Sequence, residues 1–543
     1  MKAGFCKVVI TPPLGQVAFA GYNGRGTLPR GVLDDLCARA LVFQPSPDPA
    51  TWVVIMTTDL FMLRRQFVEQ VRALATQLTG ISGANMCIHA IHSHQGPDTL
   101  GIYFPGHDFD GRFLDDAWMN HLARQLAGVI YGATKHAFEC RIGFGEAKLE
   151  GHTINRREES LFTRPASHQR TIDPRIPIIR VDDLRGNHRV LVTGFATHPT
   201  FLSTFEQWGA ELVPYVERAC KRSLGANVEI MYFTSQAGDI VPVLPRKREE
   251  KQLIINPKRD LKPNQVSIIL SERQSKTAIE IEIPQVQQLA KKFHLGTVEE
   301  FIEGFYQDLG ADAFMEGESL IVTGNITLRK VAEALAKYVS YRTSVRNVKN
   351  YARIFAGQIA RVFSTIETAP DVDVRIDQEL ADIYIDDEDM AEQFEVLIAR
   401  GNSGRSPDGR ITVQTEVQGI KIGEAYICCW PAEPVNEIGL RLKELIKNQG
   451  GAGPVFFWEL CNDGFGYLLT PFEWDAQGYE ATVFSFGRDN GSILEQASLR
   501  VASRLLGRKI TWEDVPLPVY RPAPSTKTIQ RLKDEFLASQ QNS

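Results

Sequence analysis

The sequence lacks long hydrophobic segments. No continuous apolar run approaches the roughly 18 residues that a membrane-spanning helix requires. Residues 1–15 also lack the apolar core of about 7 to 15 residues that marks a secretory signal peptide. We therefore expect a cytoplasmic chain without a transmembrane segment.

Cysteine is scarce, since the 543 residues include only eight, and no two of them form a CxxC pair. Most lie in apolar surroundings, which favours core thiols over disulfides or a cysteine metal site. The chain also has no GxxxxGK[ST], HExxH or GxSxG motif. The sequence signatures of P-loop nucleotide binding, zincin proteases and serine hydrolases are therefore excluded.

No charge of one sign dominates the chain. Its 60 basic and 66 acidic residues give a net charge of −6. A chain without an overall positive field is not expected to bind nucleic acid. The composition is compatible with either a monomer or an oligomer.

Short apolar runs that end in polar residues alternate with helical patterns along the chain. This alternation is typical of an α/β fold, in which functional side chains lie where strands end. Helical spacing predicts helices over residues 65–78, 114–136, 211–223 and 437–447. The predicted strands cover residues 53–56, 86–91, 190–196, 228–233, 426–430 and 455–460.

A change in amino-acid composition and pattern indicates an insertion. Residues 246–370 are charged and rich in helical patterns, and they separate residues 1–245 from residues 371–510. We expect one α/β catalytic domain made of these two parts, with the inserted helical subdomain as a lid or substrate-recognition element. Residues 511–543 read as a proline-rich strap followed by a short helix.

The last predicted helix of the insertion is basic. Between residues 329 and 361 it has one acidic residue, Glu333, and the basic residues Arg329, Lys330, Lys337, Arg342, Arg346, Lys349, Arg353 and Arg361. One interpretation is a solvated face, or one paired with the acidic stretch at residues 299–318. The other is a surface that recognises the anionic portion of a substrate or a partner.

Three histidines follow apolar runs. The segment IHAIHSHQGP places His92 and His94 two residues apart, and strand alternation would direct both side chains to one face. His198 follows another run in FATHPT. Imidazoles that converge in this way suit a metal ion and a base that activates water, although histidines at strand ends can also be simply hydrogen-bonded.

Motifs spread over residues 4–490 resemble the neutral ceramidase family and occur in the same order. They are ITPPLG, GYNGRG, ARALVF, TTD, HSHQGP, INRR, FATHPT, QAGDIVP, WPAEP and GYLLTPFEWDAQGYE. The resemblance implies mixed β-sheets flanked by helices and a zinc-dependent amidase. It implies zinc ligands at His92, His198, Glu433 and Tyr467, a general base at His94, and oxyanion-stabilising groups at Arg156 and Tyr479.

The chemistry of these residue types agrees with that implication. Zinc takes nitrogen and oxygen ligands, keeps one position open for water in catalytic sites, and lowers the pKa of that water from 15.7 to about 7. Attack on an amide builds negative charge on the carbonyl oxygen, which zinc, Arg156 and Tyr479 are suited to receive. His94 can take the water proton and return it to the leaving amine.

Two departures from the family pattern keep alternatives open. Val241 occupies the position of a family serine that has been considered a nucleophile, and valine cannot act as one. We also expect the protein to lack the signal sequence and the C-terminal immunoglobulin-like domain of secreted ceramidases. We expect hydrolysis of a ceramide-like or other N-acyl small molecule. The alternatives are a metal-dependent esterase or lactonase, and a non-catalytic lipid- or metabolite-binding protein.

Overall fold

The computed structural model describes residues 1–21, 28–101, 115–159, 171–202, 206–243, 328–386 and 403–517, with short segments between residues 252 and 323. The chain divides into two compact units. The first comprises Met1–Val243 and Ala352–Ser543, and the second comprises Leu244–Tyr351. The second unit overlaps the predicted insertion, whereas most of the predicted C-terminal strap and helix lies outside the described residues.

The first part of the first unit alternates strands and helices. Its strands are β1 (Lys2–Val9), β2 (Gly31–Val32), β3 (Cys37–Gln44), β4 (Val53–Thr58), β5 (Met86–Ala90), β6 (Ala137–Lys148), β7 (Thr153–Asn155), β8 (Arg175–Asp183), β9 (His188–Phe195), β10 (Gln207–Trp208), β11 (Glu229–Thr234) and β12 (Ile240–Pro242). Its α-helices are α1 (Arg65–Thr79), α2 (Asp116–Lys135), α3 (Arg156–Glu159) and α4 (Val213–Leu224).

The second unit contains short strands as well as a helix. Its strands are β13 (Gln252–Ile255), β14 (Gln265–Ile268), β15 (Ser271–Glu272), β16 (Ala278–Glu282), β17 (Asp312–Glu316) and β18 (Ser319–Thr323). Helix α5 (Leu328–Phe363) begins in this unit, and its residues from Ala352 belong to the first. The sequence predicted the helix but not the strands, because segments of two to five residues are too short for their alternation to stand out from charged surroundings.

The chain then completes the first unit. The remaining strands are β19 (Val374–Ile385), β20 (Ser403–Arg405), β21 (Ile411–Ile422), β22 (Ala425–Cys429), β23 (Ala432–Pro434), β24 (Val455–Trp458) and β25 (Phe465–Leu468). The remaining helices are α6 (Asn436–Gly450), α7 (Pro471–Asp475), α8 (Tyr479–Thr482) and α9 (Asn490–Leu506). Among the described residues, no helix combines the length and the apolar character needed to cross a membrane.

Two mixed β-sheets pack face to face in the first unit. One has eight strands in the order β11-β9-β8-β6-β1-β3-β4-β5, and the other has five, β19-β21-β22-β24 with β20 beside β21. Apolar side chains from both sheets form one core, in which the rings of Phe233 and Trp458 stack with centroids 3.7 Å apart. Burial of each such ring contributes about 1.5 to 3 kcal/mol.

Helices cover the outer faces of the two sheets. Helix α2 packs on β1 and β3, and helix α9 packs on β19 and β21. A second apolar core joins the five-stranded sheet to α6 and α9 through side chains such as Leu442, Leu445 and Leu494. The mixed sheets and flanking helices confirm the predicted α/β fold class.

Three pairs of neighbouring strands run parallel. Strand β5 runs parallel to β4, β9 to β11, and β22 to β24. Each of these strands lies within or beside a run that the sequence analysis predicted to end in polar residues. The carboxyl ends of parallel neighbours lie at the same edge of a sheet, but β5 and β9, which precede His92 and His198, are not neighbours in the eight-stranded sheet.

Candidate metal centre

Three histidines and one glutamate converge in the first unit. Nε2 of His92 lies 3.0 Å from Oε2 of Glu433, and Nε2 of His198 lies 3.2 Å from the same oxygen. Nε2 of His94 lies 3.1 Å from Nε2 of His92. Nitrogen atoms of the three imidazoles all lie within 4.8 Å of one another. All four side chains are buried.

A turn, and not strand alternation, brings His92 and His94 together. Strand β5 ends at Ala90, and His92 has a left-handed backbone with φ of 67°. The N–H of Ile91 still makes a ladder bond, to the Thr58 carbonyl, whereas that of Ser93 donates to the Leu60 carbonyl, beyond the end of β4. The predicted convergence is present, but the predicted reason for it was wrong. Such backbone conformations are costly and concentrate at functional sites.

His198 is fixed at its backbone and at its ring. Its N–H donates to the Ile240 carbonyl over 2.9 Å, and Nδ1 lies 2.6 Å from the Ala237 carbonyl oxygen. Because a carbonyl oxygen can only accept, Nδ1 carries the proton, and the lone pair is on Nε2. The ring therefore presents an unprotonated nitrogen on the side of Glu433.

Glu433 and Tyr467 are neighbours in the parallel pair of strands β23 and β25. Tyr467 is buried, and its ring centroid lies 6.2 Å from that of His198. The guanidinium carbon of Arg156 lies 5.3 Å from the Tyr467 ring centroid. The pairing places a carboxylate and a phenol beside each other although the two residues are far apart in sequence.

The protonation states of the centre suit a cation. Burial alone raises the pKa of the Glu433 carboxyl, but the imidazoles of His92 and His198 outweigh burial and hold that pKa well below its usual range. Burial lowers the pKa of His94 and of His198. Burial also raises the pKa of the Tyr467 phenol, against the influence of Arg156. At neutral pH the Glu433 carboxylate is therefore ionised, and the imidazoles of His94 and His198 are neutral.

The donor set fits a zinc ion. Among the described residues, Nε2 of His198 and Oε2 of Glu433 are buried and have no hydrogen bond of acceptable geometry, although they lie close together. Buried polar atoms normally have partners, so atoms that converge without hydrogen bonding indicate a missing ligand. Two imidazole nitrogens, one carboxylate oxygen and one phenol oxygen are donors of the type that zinc accepts.

Arg156 lies beside the centre in a fixed position. Its Nε donates to Glu480 and its Nη2 donates to the Gly238 carbonyl, each over 2.6 Å. The guanidinium carbon also lies 4.7 Å from the ring centroid of Tyr479. Tyr479 is 46% exposed, so it has access to a ligand that approaches from solvent. The structure thus brings both predicted oxyanion groups to the predicted zinc ligands.

Two buried carboxylates that follow strands, Asp59 and Asp239, have partners other than the histidines of the centre. Asp59 pairs with Arg39 over 2.9 Å. Asp239 accepts a hydrogen bond from the Asn155 side chain over 2.6 Å and another from the backbone N–H of Asn436 over 2.7 Å. It therefore ties the segments that carry Arg156 and Glu433 to each other, while a main-chain carbonyl takes the ring proton of His198.

Gly21, the first residue of the GYNGRG motif, also lies at this centre, which the motif alone did not indicate. It has φ of +93°, and a Cβ there would lie 2.5 Å from Nδ1 of His94. We expect Gly21→Ala to displace His94 and to lower the free energy of unfolding by about 1 to 3 kcal/mol more than the backbone conformation alone explains. Chemical denaturation of the purified variant measures this difference.

Gly15 provides the matched control for Gly21. Its φ is +80°, and a Cβ there would meet nothing within 4 Å. Gly15→Ala therefore reports the cost of a left-handed alanine without a steric contact. Equal losses of stability in the two variants would contradict the contact between Gly21 and His94.

The cysteines are free thiols, and seven of the eight are buried. Three of them, Cys87, Cys429 and Cys461, lie with sulfur atoms within 4.8 Å of one another in the core between the two sheets. The thiol of Cys461 donates to the Glu459 carbonyl oxygen, 3.5 Å away. No spacing rule predicted this group, because its members come from three separate parts of the chain.

Comparisons with known proteins agree with the motifs. The family model for the N-terminal domain of neutral/alkaline non-lysosomal ceramidases matches residues 1–208. A neutral ceramidase of Drosophila pseudoobscura pseudoobscura is 22% identical, and the alignment covers 96% of this chain and 76% of that protein.

Solved structures show the same fold. The crystal structure of a neutral ceramidase from Pseudomonas aeruginosa matches with a TM-score of 0.59 at 15% identity, over 96% of this chain and 76% of the other. A ceramidase complexed with C2 matches with a TM-score of 0.58 at 15% identity, over 96% of this chain and 77% of the other. Residues 1–208 are thus similar to the N-terminal domain of the neutral/alkaline non-lysosomal ceramidase family, as the motifs indicated.

Proposed function

We propose that this chain is a zinc-dependent hydrolase that cleaves the amide bond of a linear N-acyl compound. The observation that supports the proposal most is the approach of Nε2 of His92 and Nε2 of His198 to one oxygen of Glu433, at 3.0 and 3.2 Å. The relatives named neutral ceramidases point to the same class of reaction, because ceramide is an N-acyl amide.

Four residues would hold the ion, namely His92, His198, Glu433 and Tyr467. When bound, zinc supplies a Lewis acid that activates water and polarises the amide carbonyl. The Glu433 carboxylate offsets part of the charge of the ion. The turn at Ala237 keeps the His198 ring in the tautomer that a ligand requires.

His94 moves the proton. Its Nε2 lies 3.1 Å from a nitrogen of His92, next to the proposed ligands. Burial lowers the pKa of His94, so its imidazole is neutral and ready to accept a proton from the attacking water. The nearby Glu433 carboxylate stabilises the imidazolium until the proton passes to the leaving amine nitrogen.

Arg156 and Tyr479 receive the charge that develops on the carbonyl oxygen. The guanidinium lies near both tyrosine rings, and its bonds to Glu480 and to the Gly238 carbonyl prevent it from turning away. No step needs a serine nucleophile. Val241 lies in strand β12 opposite Ile154 and has no nucleophilic atom.

The proposed substrate is ceramide or another N-acyl small molecule. Recognition of an anionic portion by the basic residues of α5, a lid role for the insertion, and a cytoplasmic location all stay predictions. An esterase or lactonase would use the same groups, so direct comparison of substrates is required.

The test is to incubate the zinc-loaded protein with N-acyl amides of increasing acyl length, a ceramide among them, and with the ester analogue of each. Mass spectrometry then measures paired release of acid and amine. We expect amide cleavage that is lost in His92→Ala. Cleavage of esters alone would favour the esterase alternative, and retention of the ligands without turnover would favour a binding protein.

A further inference from the structure

Glu459 is a buried carboxyl group that the proposed reaction does not use. It directly follows strand β24, and its exposed fraction is 0%. Its Oε2 accepts a hydrogen bond from the backbone N–H of Ala237 over 2.8 Å. Its Oε1 is buried and, within the described parts of the chain, has no hydrogen-bond partner.

Ala237 connects Glu459 to the metal centre. The same residue that donates its N–H to Glu459 accepts the ring proton of His198 on its carbonyl oxygen, over 2.6 Å. That carbonyl also accepts the N–H of Ile240 over 2.9 Å, and the Ile240 carbonyl accepts the N–H of His198. Residues 237–240 thus form a turn around His198, and Glu459 holds its first residue.

The position of Glu459 is costly for the fold. Trp458, which precedes it, belongs to the core between the two sheets, and Phe457 belongs to the second apolar core. Burial of a polar atom without a partner costs about 1 to 3 kcal/mol, whereas an apolar side chain at this place would carry no such cost. Stability alone therefore does not account for a carboxyl group here.

We infer that Glu459 is a positioning residue for His198, because it fixes Ala237 and thereby sets the tautomer and direction of the imidazole that the proposed zinc site requires. The identity of the ion in this inference rests on the proposed function. The hydrogen bonds that connect Glu459 to His198 are observed in the structure and do not depend on it. Partners of metal-ligating histidines typically change metal affinity about 10- to 100-fold when they are replaced.

The protonation state of Glu459 suggests a conservative substitution. Burial and the neighbouring Glu433 carboxylate raise the pKa of Glu459 well above its usual range. A neutral acid that accepts one N–H is matched by the amide of glutamine, whose oxygen can accept the same bond. Glu459→Gln should therefore preserve the hydrogen bond from the Ala237 N–H, which Glu459→Leu removes.

Two readouts test the inference. The first is the affinity for Zn²⁺, measured by competition with a chromogenic chelator. We expect Glu459→Leu to weaken binding about 10- to 100-fold and Glu459→Gln to remain within about 3-fold of the unsubstituted protein. The second is the ¹⁵N spectrum of the His198 imidazole in the metal-free protein, assigned with His198→Gln. We expect the Nδ1–H tautomer in the unsubstituted protein and in Glu459→Gln, and a mixture of tautomers in Glu459→Leu.

The controls separate positioning from stability. Glu495 is also buried, with 1% exposure, and it pairs with Arg441 over 2.8 Å. Glu495→Leu should lose stability without a change in either readout. Glu459→Ala replaces Glu459→Leu if the latter does not fold. Unchanged affinity together with an unchanged His198 tautomer in a folded Glu459→Leu or Glu459→Ala variant would overturn the inference.

Failure of the proposed function gives a different pattern. If the unsubstituted protein binds Zn²⁺ but releases no amine, the proposed function fails while both readouts still test Glu459. If it binds no Zn²⁺, the tautomer in the metal-free protein decides the inference alone. A tautomer mixture in Glu459→Leu then supports it, and a single Nδ1–H tautomer contradicts it.

Discussion

Glu433→Gln is expected to lower the affinity for Zn²⁺ by more than about 100-fold, because even the indirect partners of a metal ligand are worth about 10- to 100-fold. The substitution keeps the shape of the side chain but removes the negative charge that lies 3.0 Å from His92 and 3.2 Å from His198. Amide cleavage should fall in parallel. Chelator competition and metal analysis of the purified variant measure the loss.

Glu495→Gln is the matched control for this change. Glu495 is as deeply buried as Glu433 and faces Arg441 on the adjacent helix α6. The Glu495→Gln variant should bind Zn²⁺ with the affinity of the unsubstituted protein. A Glu433→Gln variant that retains full affinity would remove Glu433 from the proposed ligand set.

Tyr479→Phe is expected to lower kcat by about 10²- to 10³-fold while the zinc content stays unchanged. The hydroxyl is proposed to stabilise the developing oxyanion, and loss of one such donor typically costs this much. Because Tyr479 is 46% exposed, removal of one oxygen should leave the fold intact. Steady-state rates with the best N-acyl amide, together with metal analysis, test this expectation.

Tyr131 supplies the comparison for Tyr479. It is 39% exposed and lies on helix α2, with its ring facing Lys135. Tyr131→Phe should leave kcat unchanged. An unaltered kcat in Tyr479→Phe would contradict the role of this hydroxyl, whereas a loss of zinc would indicate a structural role.

Local pattern was sufficient to predict four helices and six strands of the first unit, but it missed others, such as helix α9. The predicted helix over residues 65–78 is α1, Arg65–Thr79, and the predicted strand over residues 228–233 is β11, Glu229–Thr234. The helix shows apolar residues at helical spacing, and the strand is a nearly continuous apolar run, so each pattern is visible in the local sequence. The short strands of the second unit were not predicted, because their few residues carry no comparable signal.

The candidate centre was predictable only in part. His92 and His198 follow apolar runs, which marked both as residues at strand ends, but β5 and β9 are not neighbours in the eight-stranded sheet, so only the three-dimensional structure shows their approach. The neighbouring positions of Glu433 and Tyr467 depend on the parallel pairing of β23 with β25, which joins two short strands and leaves no periodic pattern in the sequence. Family motifs, rather than local physics, indicated those two residues.

Glu459 shows a second limit of sequence reasoning. It lies within the apolar run at residues 455–460, and a single charged residue there reads as the end of a strand. Its signal was the presence of an acid immediately after four fully apolar residues. Only the three-dimensional contact with Ala237 shows what that acid holds.

The most direct test of the account is the metal stoichiometry of the purified protein. Metal-free protein titrated with Zn²⁺ should bind about one ion tightly per chain, and His92→Ala should lose that ion while the thiols of Cys87, Cys429 and Cys461 remain present. A normally folded protein that binds no Zn²⁺, or a His92→Ala variant that binds it with unchanged affinity, would contradict the proposed centre.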